Sequence, residues 1–295
     1  MHEFSLDFLR CVRCGSKLDL DVFSNDVEII EGFLECYKCN MKFPIIDSIP
    51  VLWNDFTNYI SCRKILSGQL FRLANNEKMK KFLKNSFLKT KYDDDRTALE
   101  KRWSKIYQDS KNSKFYNAIK NELKQIPKSK LAIEHGCSIG LMSDFLTNSS
   151  EIVFGIDSSF SAISIAKKSV KKNLDFFVAD SLSTIFGNTT FDLVLALNVL
   201  ELIEPSDFLK HVSKQIKQGF LVISDPYDFD RGKTSVKKPL DEHSLRTTLN
   251  DMGFSISSKT SNPTHHTWNL NLNPRCKLTY KVDLIIAKKS DIQKL

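Results

Sequence analysis

From position 131 onward, short apolar runs alternate with amphipathic stretches. The runs at 131–135, 152–156, 176–179, 191–197 and 220–224 are four to seven residues long and predict buried β-strands. Between them, 141–146, 160–170, 206–217 and 241–252 have helical periodicity, with Pro205 and Gly219 bracketing the third. Strands alternating with helices predict a parallel sheet covered on both faces. A closing pair, 254–259 and 277–287, predicts an antiparallel hairpin with a long loop at its tip.

The pattern upstream is different. Strand-like segments at 18–23 and 27–35 separate two near-duplicates, Cys11-Val12-Arg13-Cys14-Gly15 and Cys36-Tyr37-Lys38-Cys39-Asn40. Gly15 and Asn40 both tolerate positive φ, which lets the chain turn sharply behind each Cys-x-x-Cys. Four thiolates around one tetrahedral Zn²⁺ would stabilise a unit too small to build its own core. Such a site is structural, because four thiolates leave no open coordination position. Residues 55–128 read as helices rich in lysine, with Leu99, Trp103 and Ile106 at helical spacing behind a possible cap at Asp93–Asp95. Trp103, Tyr107 and Tyr116 read as packing residues. The expected domains are 1–54, a zinc ribbon; 55–128, a helical basic connector; and 129–290, a ligand-binding α/β domain.

Charge sharpens this division. The net charge of +8 resolves into −5 over 1–62, +12 over 63–130 and +1 over the remainder. A basic segment suits a polyanionic partner such as RNA, and a solvated helical connector gives the same composition. The N-terminus lacks a continuous apolar core of the signal-peptide kind, and 191–203 is too short and polar to span a bilayer. The expectation is a cytoplasmic protein with no membrane partner, whose paired cysteines bind metal rather than form disulfides.

The polar residues at strand ends carry the chemistry. Glu134-His135-Gly136-Cys137-Ser138-Ile139-Gly140 follows the first strand, and only ten glycines occur in the chain. Gly136 would let a ligand approach the backbone, and Gly140 would permit tight strand–helix packing. Asp157 ends the second strand, where a carboxylate can accept both hydroxyls of a ribose. Asp180 and Ser181 follow the third strand, and Asn198 the fourth. The same glycine loop also satisfies G-x-S-x-G, the nucleophile elbow of serine hydrolases, with Asp225 and His243 or His265 as partners for Ser138. That alternative needs strands and an oxyanion loop upstream, and leaves Asp157 and Asp180 unexplained. A dinucleotide-binding dehydrogenase is disfavoured because the glycines do not fall as G-x-G-x-x-G.

Over about 115–290 the chain resembles the class I S-adenosylmethionine-dependent methyltransferases. AIEHGCSIG, FGIDSS, FVADS and FDLVLALNVLELI match that family's successive motifs. The resemblance implies an α/β fold with a Rossmann-like, seven-stranded, mostly parallel sheet ending in an antiparallel hairpin. It also implies cofactor contacts from Glu134, Gly136, Ser138, Gly140, Asp157, Ser158, Asp180, Ser181 and Asn198. Ser138 stands where many members have glycine. Residues 4–53, with their FPIIDSIPVL ending, resemble the small zinc-binding activator subunit of tRNA and protein methyltransferases, here fused in cis. Methyl transfer from a sulfonium is an in-line displacement that depends mainly on positioning. Tyr227, in Asp225-Pro226-Tyr227-Asp228, and His265, in Pro263-Thr264-His265-His266-Thr267-Trp268, are the candidates for a base. The expected acceptor is RNA or a translation-related protein gripped by 63–130, the alternative being a small metabolite or peptide.

Overall fold

The computed structural model describes residues 1–231 and 234–290. The strands are β1 (Asp19–Asn25), β2 (Ile29–Cys36), β3 (Met41–Ile46), β4 (Ile49–Leu52), β5 (Ser129–His135) and β6 (Ser150–Asp157). They continue as β7 (Leu174–Ala179), β8 (Leu193–Leu197), β9 (Gly219–Asp225), β10 (Phe254–Ile256), β11 (His266–Asn273) and β12 (Cys276–Lys289). The helices are α1 (Phe56–Ser61), α2 (Lys64–Leu73), α3 (Glu77–Lys89), α4 (Thr97–Asp109) and α5 (Lys114–Leu123). After them come α6 (Leu141–Leu146), α7 (Phe160–Ala166), α8 (Pro205–Gln215) and α9 (Glu242–Asp251). Packing groups these into two units: 1–105 with 138–140 and 156–188, and 106–137 with 141–155 and 189 onward. Residues of the expected ribbon, connector and ligand-binding segments therefore occur together in the first unit.

In the first unit, β1 to β4 form an antiparallel meander. Asp47 and Ser48, at φ 54° and 62°, make the two-residue turn between β3 and β4. Positive φ at both positions matches the twist of a tight hairpin. β4 then pairs in parallel with β7 through Val51–Val178 and Leu52–Ala179. The meander's last strand thus extends the sheet of the α/β segment, beyond the seven strands expected for that sheet. A buried ion cluster reinforces this contact. Asp175 on β7 accepts from the His2 N–H (2.9 Å) and the Ser5 hydroxyl (2.6 Å), and Lys167 bridges Asp175 and Glu28.

Asp55 caps α1 and Asn76 caps α3 through their side chains. Leu66, Leu70, Met79 and Leu83 are buried on α2 and α3, whereas Lys64, Lys78, Lys81, Lys84 and Lys89 are exposed. The basic composition of this stretch is therefore the solvated face of amphipathic helices.

In the second unit, β5 pairs in parallel with β8, and β8 with β9. β12 then joins antiparallel to β9, and its two halves also pair with β10 and β11. The expected hairpin of 254–259 with 277–287 is present, but its first strand stops at Ile256. Much of the expected tip loop is strand instead, because β11 folds back along the first half of β12. Trp268 drives this: it is 2% exposed and packs against Tyr107, Phe115 and Tyr280. β8 begins at Leu193 rather than at 191, because the Asp192 carboxylate accepts the Lys130 and Leu131 N–H groups. No helix among the described residues is long and apolar enough to cross a membrane.

Candidate functional site

The four cysteines of the two Cys-x-x-Cys pairs converge in the first unit, with all their sulfurs within 4.8 Å of one another. Cys11 and Cys39 lie 3.5 Å apart, and Cys14 and Cys36 3.4 Å. A tetrahedral Zn²⁺ with bonds of about 2.3 Å sets sulfur–sulfur edges of roughly 3.8 Å, so the four sulfurs need only a small adjustment to take up an ion. Gly15 at φ 70° and Asn40 at φ 55° supply the turns that the spacing requires. The Gly15 N–H closes the first knuckle on the Cys11 carbonyl at 2.8 Å.

The first unit also holds the ribose-acid candidate. The Asp157 carboxylate accepts the Ser138 N–H on one oxygen (2.9 Å) and the Ser159 N–H on the other (2.8 Å). Burial pushes this carboxyl above the ordinary carboxylate range, opposed by those N–H groups and by Arg63. Ser138 adopts φ 49°, a left-handed conformation that glycine takes without strain. A Cβ on Gly140 would come within 2.6 Å of Phe176 and 2.8 Å of Ala166, so only glycine lets the loop seat against them. Behind Asp157, the Tyr59 hydroxyl donates to the Ser158 carbonyl. The Arg63 guanidinium stacks 4.2 Å from the Tyr59 ring and pairs with Glu100. Helices expected to be a connector therefore brace the Asp157 loop. Asp180 accepts the Leu182 N–H at 2.8 Å, and Ser181 is buried.

The remaining expected cofactor residues, Glu134, Gly136 and Asn198, lie in the second unit. Glu134 is 4% exposed and accepts the Ser143 hydroxyl. Gly136 lies against Val199, where a Cβ would approach Cγ2 to 2.7 Å. Asn198, at φ 56°, is fixed by two bonds to Ser224: its N–H donates to the carbonyl, and its Oδ1 accepts from the hydroxyl.

Beyond Asn198 the same segment enters a pocket. Leu200, Glu201, Pro205, Asp225, Tyr227 and Phe229 line it, and residues 236, 239 and 240 complete its wall. The Glu201 side chain is 1% exposed and pairs with Arg231 through Oε1, while Oε2 is buried without a hydrogen-bond partner. Burial, with the nearby Asp225 and Asp228, lifts its carboxyl to about 8 despite Arg231. Arg231 also donates to the Tyr107 hydroxyl at 2.9 Å, and Tyr107 stacks on Trp268.

Asp225 and Asp283 are register partners on β9 and β12. Burial works against the Asp283 charge, but the bidentate Arg246 (2.7 and 3.0 Å), the Thr264 N–H and the Tyr227 hydroxyl hold its carboxyl below the ordinary range. Asp225 accepts only the Tyr227 N–H (2.6 Å) among the bonds that the structure shows for its side chain. Burial, with the neighbouring Asp283, lifts it to about 7. Two adjacent acids are thus driven in opposite directions by their partners.

Tyr227 lines this pocket, but its hydroxyl donates to Asp283, and burial moves its own pKa up. His265 is exposed and is not part of the pocket wall. His243 is exposed just inside the N-terminus of α9, its N–H on the Asp241 cap. Sequence reasoning missed Glu201, Arg231, Arg246 and Asp283 as site residues. For Glu201 a signal existed: it interrupts the apolar run after Asn198, and an acid placed there is buried with the run. The others became visible only through their partners.

Residues 133–223 match the family model of a methyltransferase domain. A mitochondrial ubiquinone biosynthesis O-methyltransferase of Schizosaccharomyces pombe is 35% identical over 104 residues, which is 32% of this chain and 37% of that protein. The chain therefore spans little more than a third of the length of that relative. A chain of the complex between the Haloferax volcanii Trm112 methyltransferase activator and a methyltransferase superposes with a TM-score of 0.51 at 14% identity. That superposition covers 65% of this chain and 97% of the other, and shows a shared fold. The magnesium protoporphyrin IX methyltransferase of Synechocystis with bound S-adenosylhomocysteine is similar at a TM-score of 0.47 and 19% identity, over 64% of this chain and 93% of that one.

Proposed function

We propose that this chain is an S-adenosylmethionine-dependent methyltransferase carrying a structural zinc ion. The observation that carries this reading is the tie between the glycine loop and the acid of the following strand: the Ser138 N–H on Asp157, in a loop held at positive φ. It supports a cofactor loop to which Ser138 contributes its backbone N–H.

Within the first unit, Asp157 would accept the ribose hydroxyls, using lone pairs that Ser138 and Ser159 leave free, with Ser158 beside it. Asp180 and Ser181 would border the adenine, and Gly140 keeps the loop against Phe176. Within the second unit, Glu134, Gly136 and Asn198 would border the methionine part. When bound, the cofactor supplies an electrophilic methyl group on a sulfonium. The chain's own work is to hold the acceptor in line with that methyl group and to keep water out. Cys11, Cys14, Cys36 and Cys39 would hold zinc with no open position, so the metal supplies fold stability rather than chemistry.

The acceptor is one that enters the pocket beside Asn198, a small molecule or a side chain. A second reading, a polyanionic partner such as RNA or a translation-related protein, is supported by the exposed lysines of α3. Thiolate coordination suits a reducing compartment such as the cytoplasm. The test is calorimetric titration of the full chain with S-adenosylmethionine. The expected dissociation constant is micromolar, rising on the order of 10- to 100-fold in Asp157→Ala, because bonds to a charged acceptor contribute about 1.5–3 kcal/mol. Absence of binding to the native chain overturns the reading, and unchanged affinity in the variant overturns the ribose assignment. Transfer of radiolabelled methyl into cell extract, followed by RNase or protease treatment, separates RNA, protein and small-molecule acceptors.

A further inference from the structure

The acid pocket in the second unit lies beside the residues that border the methyl donor. Asn198, Val199, Leu200 and Glu201 are consecutive, Gly136 packs on Val199, and Leu200 and Glu201 form pocket wall. Its lining residues are apolar or aromatic except for Glu201 and Asp225. Among the described residues, the charged side chains of the wall are Glu201 and Asp225, with Asp228 and Arg231 close to Glu201 and with Asp283 paired to Arg246. Tyr227 and Tyr280 donate to Asp283 and Asp228, and Tyr107 accepts from Arg231. With all of these ionised the balance would be negative, which is why Glu201 and Asp225 hold their protons until a cation arrives. Glu201 has a buried oxygen without a donor, and Asp225 has one backbone N–H. Buried oxygens in this state require a donor, and a cation supplies both the donor and the missing charge.

A metal ion does not meet this need. Among the described residues, the four cysteines are the only group of three or more His, Cys, Asp or Glu side chains close enough to share an ion. An organic ammonium needs no third ligand and brings N–H donors to the two acids.

Building on the methyltransferase reading, we propose that this pocket is the acceptor site and takes a primary or secondary amine on an apolar or aromatic body, with Glu201 and Asp225 receiving its charge. The amine enters as an ammonium, which drives the protons of Glu201 and Asp225 out to solvent, and it then gives one of its own protons to the Asp225 carboxylate, which leaves nitrogen with a free electron pair. The N–C bond to the transferred methyl forms as its C–S bond breaks, and the electron pair of that bond stays on sulfur. The methylated nitrogen then sheds its second proton to Glu201, whose counter-ion Arg231 remains in place. Carboxyls lifted to about 7 and about 8 are suited to exchanging protons with an amine near neutral pH.

The experiment is calorimetry of the full chain with benzylamine as probe, and with benzyl alcohol and benzoate as its neutral and anionic counterparts. The expected result is benzylamine binding at least tenfold tighter than either counterpart. It should release protons, read from the dependence of the heat on buffer ionisation. Glu201→Gln and Asp225→Asn should each weaken it about tenfold or more, with melting curves confirming that both variants fold. Equal binding of the alcohol or the benzoate overturns the proposal, as does amine binding unchanged in Glu201→Gln with Asp225→Asn. Absence of benzylamine binding in a preparation that binds S-adenosylmethionine overturns the acceptor assignment alone. Absence of S-adenosylmethionine binding strikes the methyltransferase reading instead.

Discussion

Buried carboxylates in the two units differ in the donors that reach them. In the first, Asp175 receives Lys167, the His2 N–H and the Ser5 hydroxyl, and Asp157 has a backbone N–H on each oxygen. In the second, Asp283 is just as well supplied, but its neighbour Asp225 and the nearby Glu201 are not. Bringing a carboxylate out of water costs several kcal/mol unless donors replace the solvent. Where donors are complete, the acid fixes structure or presents its remaining lone pairs to a neutral ligand. Where they are incomplete, the acid holds its proton near neutral pH and is ready to exchange it. Glu100 in the first unit, with one oxygen on Arg63 and the other without a donor, is raised by burial too, so the count of donors sets proton affinity in both units.

Four changes break or sharpen this comparison. The largest effect is expected from Cys36→Ser, which removes a thiolate from the site that organises the first unit. Zinc content, about one ion per native chain by elemental analysis, should fall sharply. The first unit should melt more than 10 °C lower, since structural zinc contributes on the order of 10 kcal/mol in small domains. Native protein purified under reducing conditions without metal would remove the zinc assignment.

Arg246→Met is expected next. It leaves Asp283 buried without its counter-ion and should cost roughly 3–5 kcal/mol in denaturant unfolding. It should also lift Asp283 toward the behaviour of Asp225, visible as a new titration by carboxyl NMR. A loss below about 1 kcal/mol would mean that Asp283 does not depend on its ion pair.

Asp225→Asn should act with a definite pH dependence. The folded-state value, about 7, lies above the ordinary 3.8, so the native state binds more protons between those limits. Native stability therefore declines as pH rises through that window, and asparagine carries no such penalty. The melting temperature of the variant, relative to native, should rise between pH 5 and 8, by the equivalent of on the order of 2 kcal/mol. A difference that is constant across pH would show that Asp225 titrates normally.

The smallest effect is expected from Ser138→Gly. Relieving a left-handed serine should stabilise the chain by at most about 1 kcal/mol. S-adenosylmethionine affinity should change little, because the N–H bond to Asp157 is backbone. A large loss of affinity would give the Ser138 side chain a role that its geometry does not suggest.

Local patterns were enough for what depends on neighbours along the chain. Strand and helix positions from 131 onward follow from apolar periodicity. The convergence of four cysteines follows from their spacing and from Gly15 and Asn40. The ordering of Glu134, Asp157, Asp180 and Asn198 at strand ends follows from the alternation of elements. Trp268 shows the limit of that reasoning: in sequence it sits in a polar loop, whereas its burial against Tyr107 and Phe115 makes that loop a strand.

Tertiary structure decided the rest. The pairing of β4 with β7, the bracing of the Asp157 loop by Tyr59 and Arg63, and the contrast between Asp225 and Asp283 all join residues far apart in the chain. No local preference specifies such meetings. The proton affinity of a carboxylate is set by which donors reach it through space, and only the folded chain brings Arg246 to Asp283 while leaving Asp225 and Glu201 short of partners.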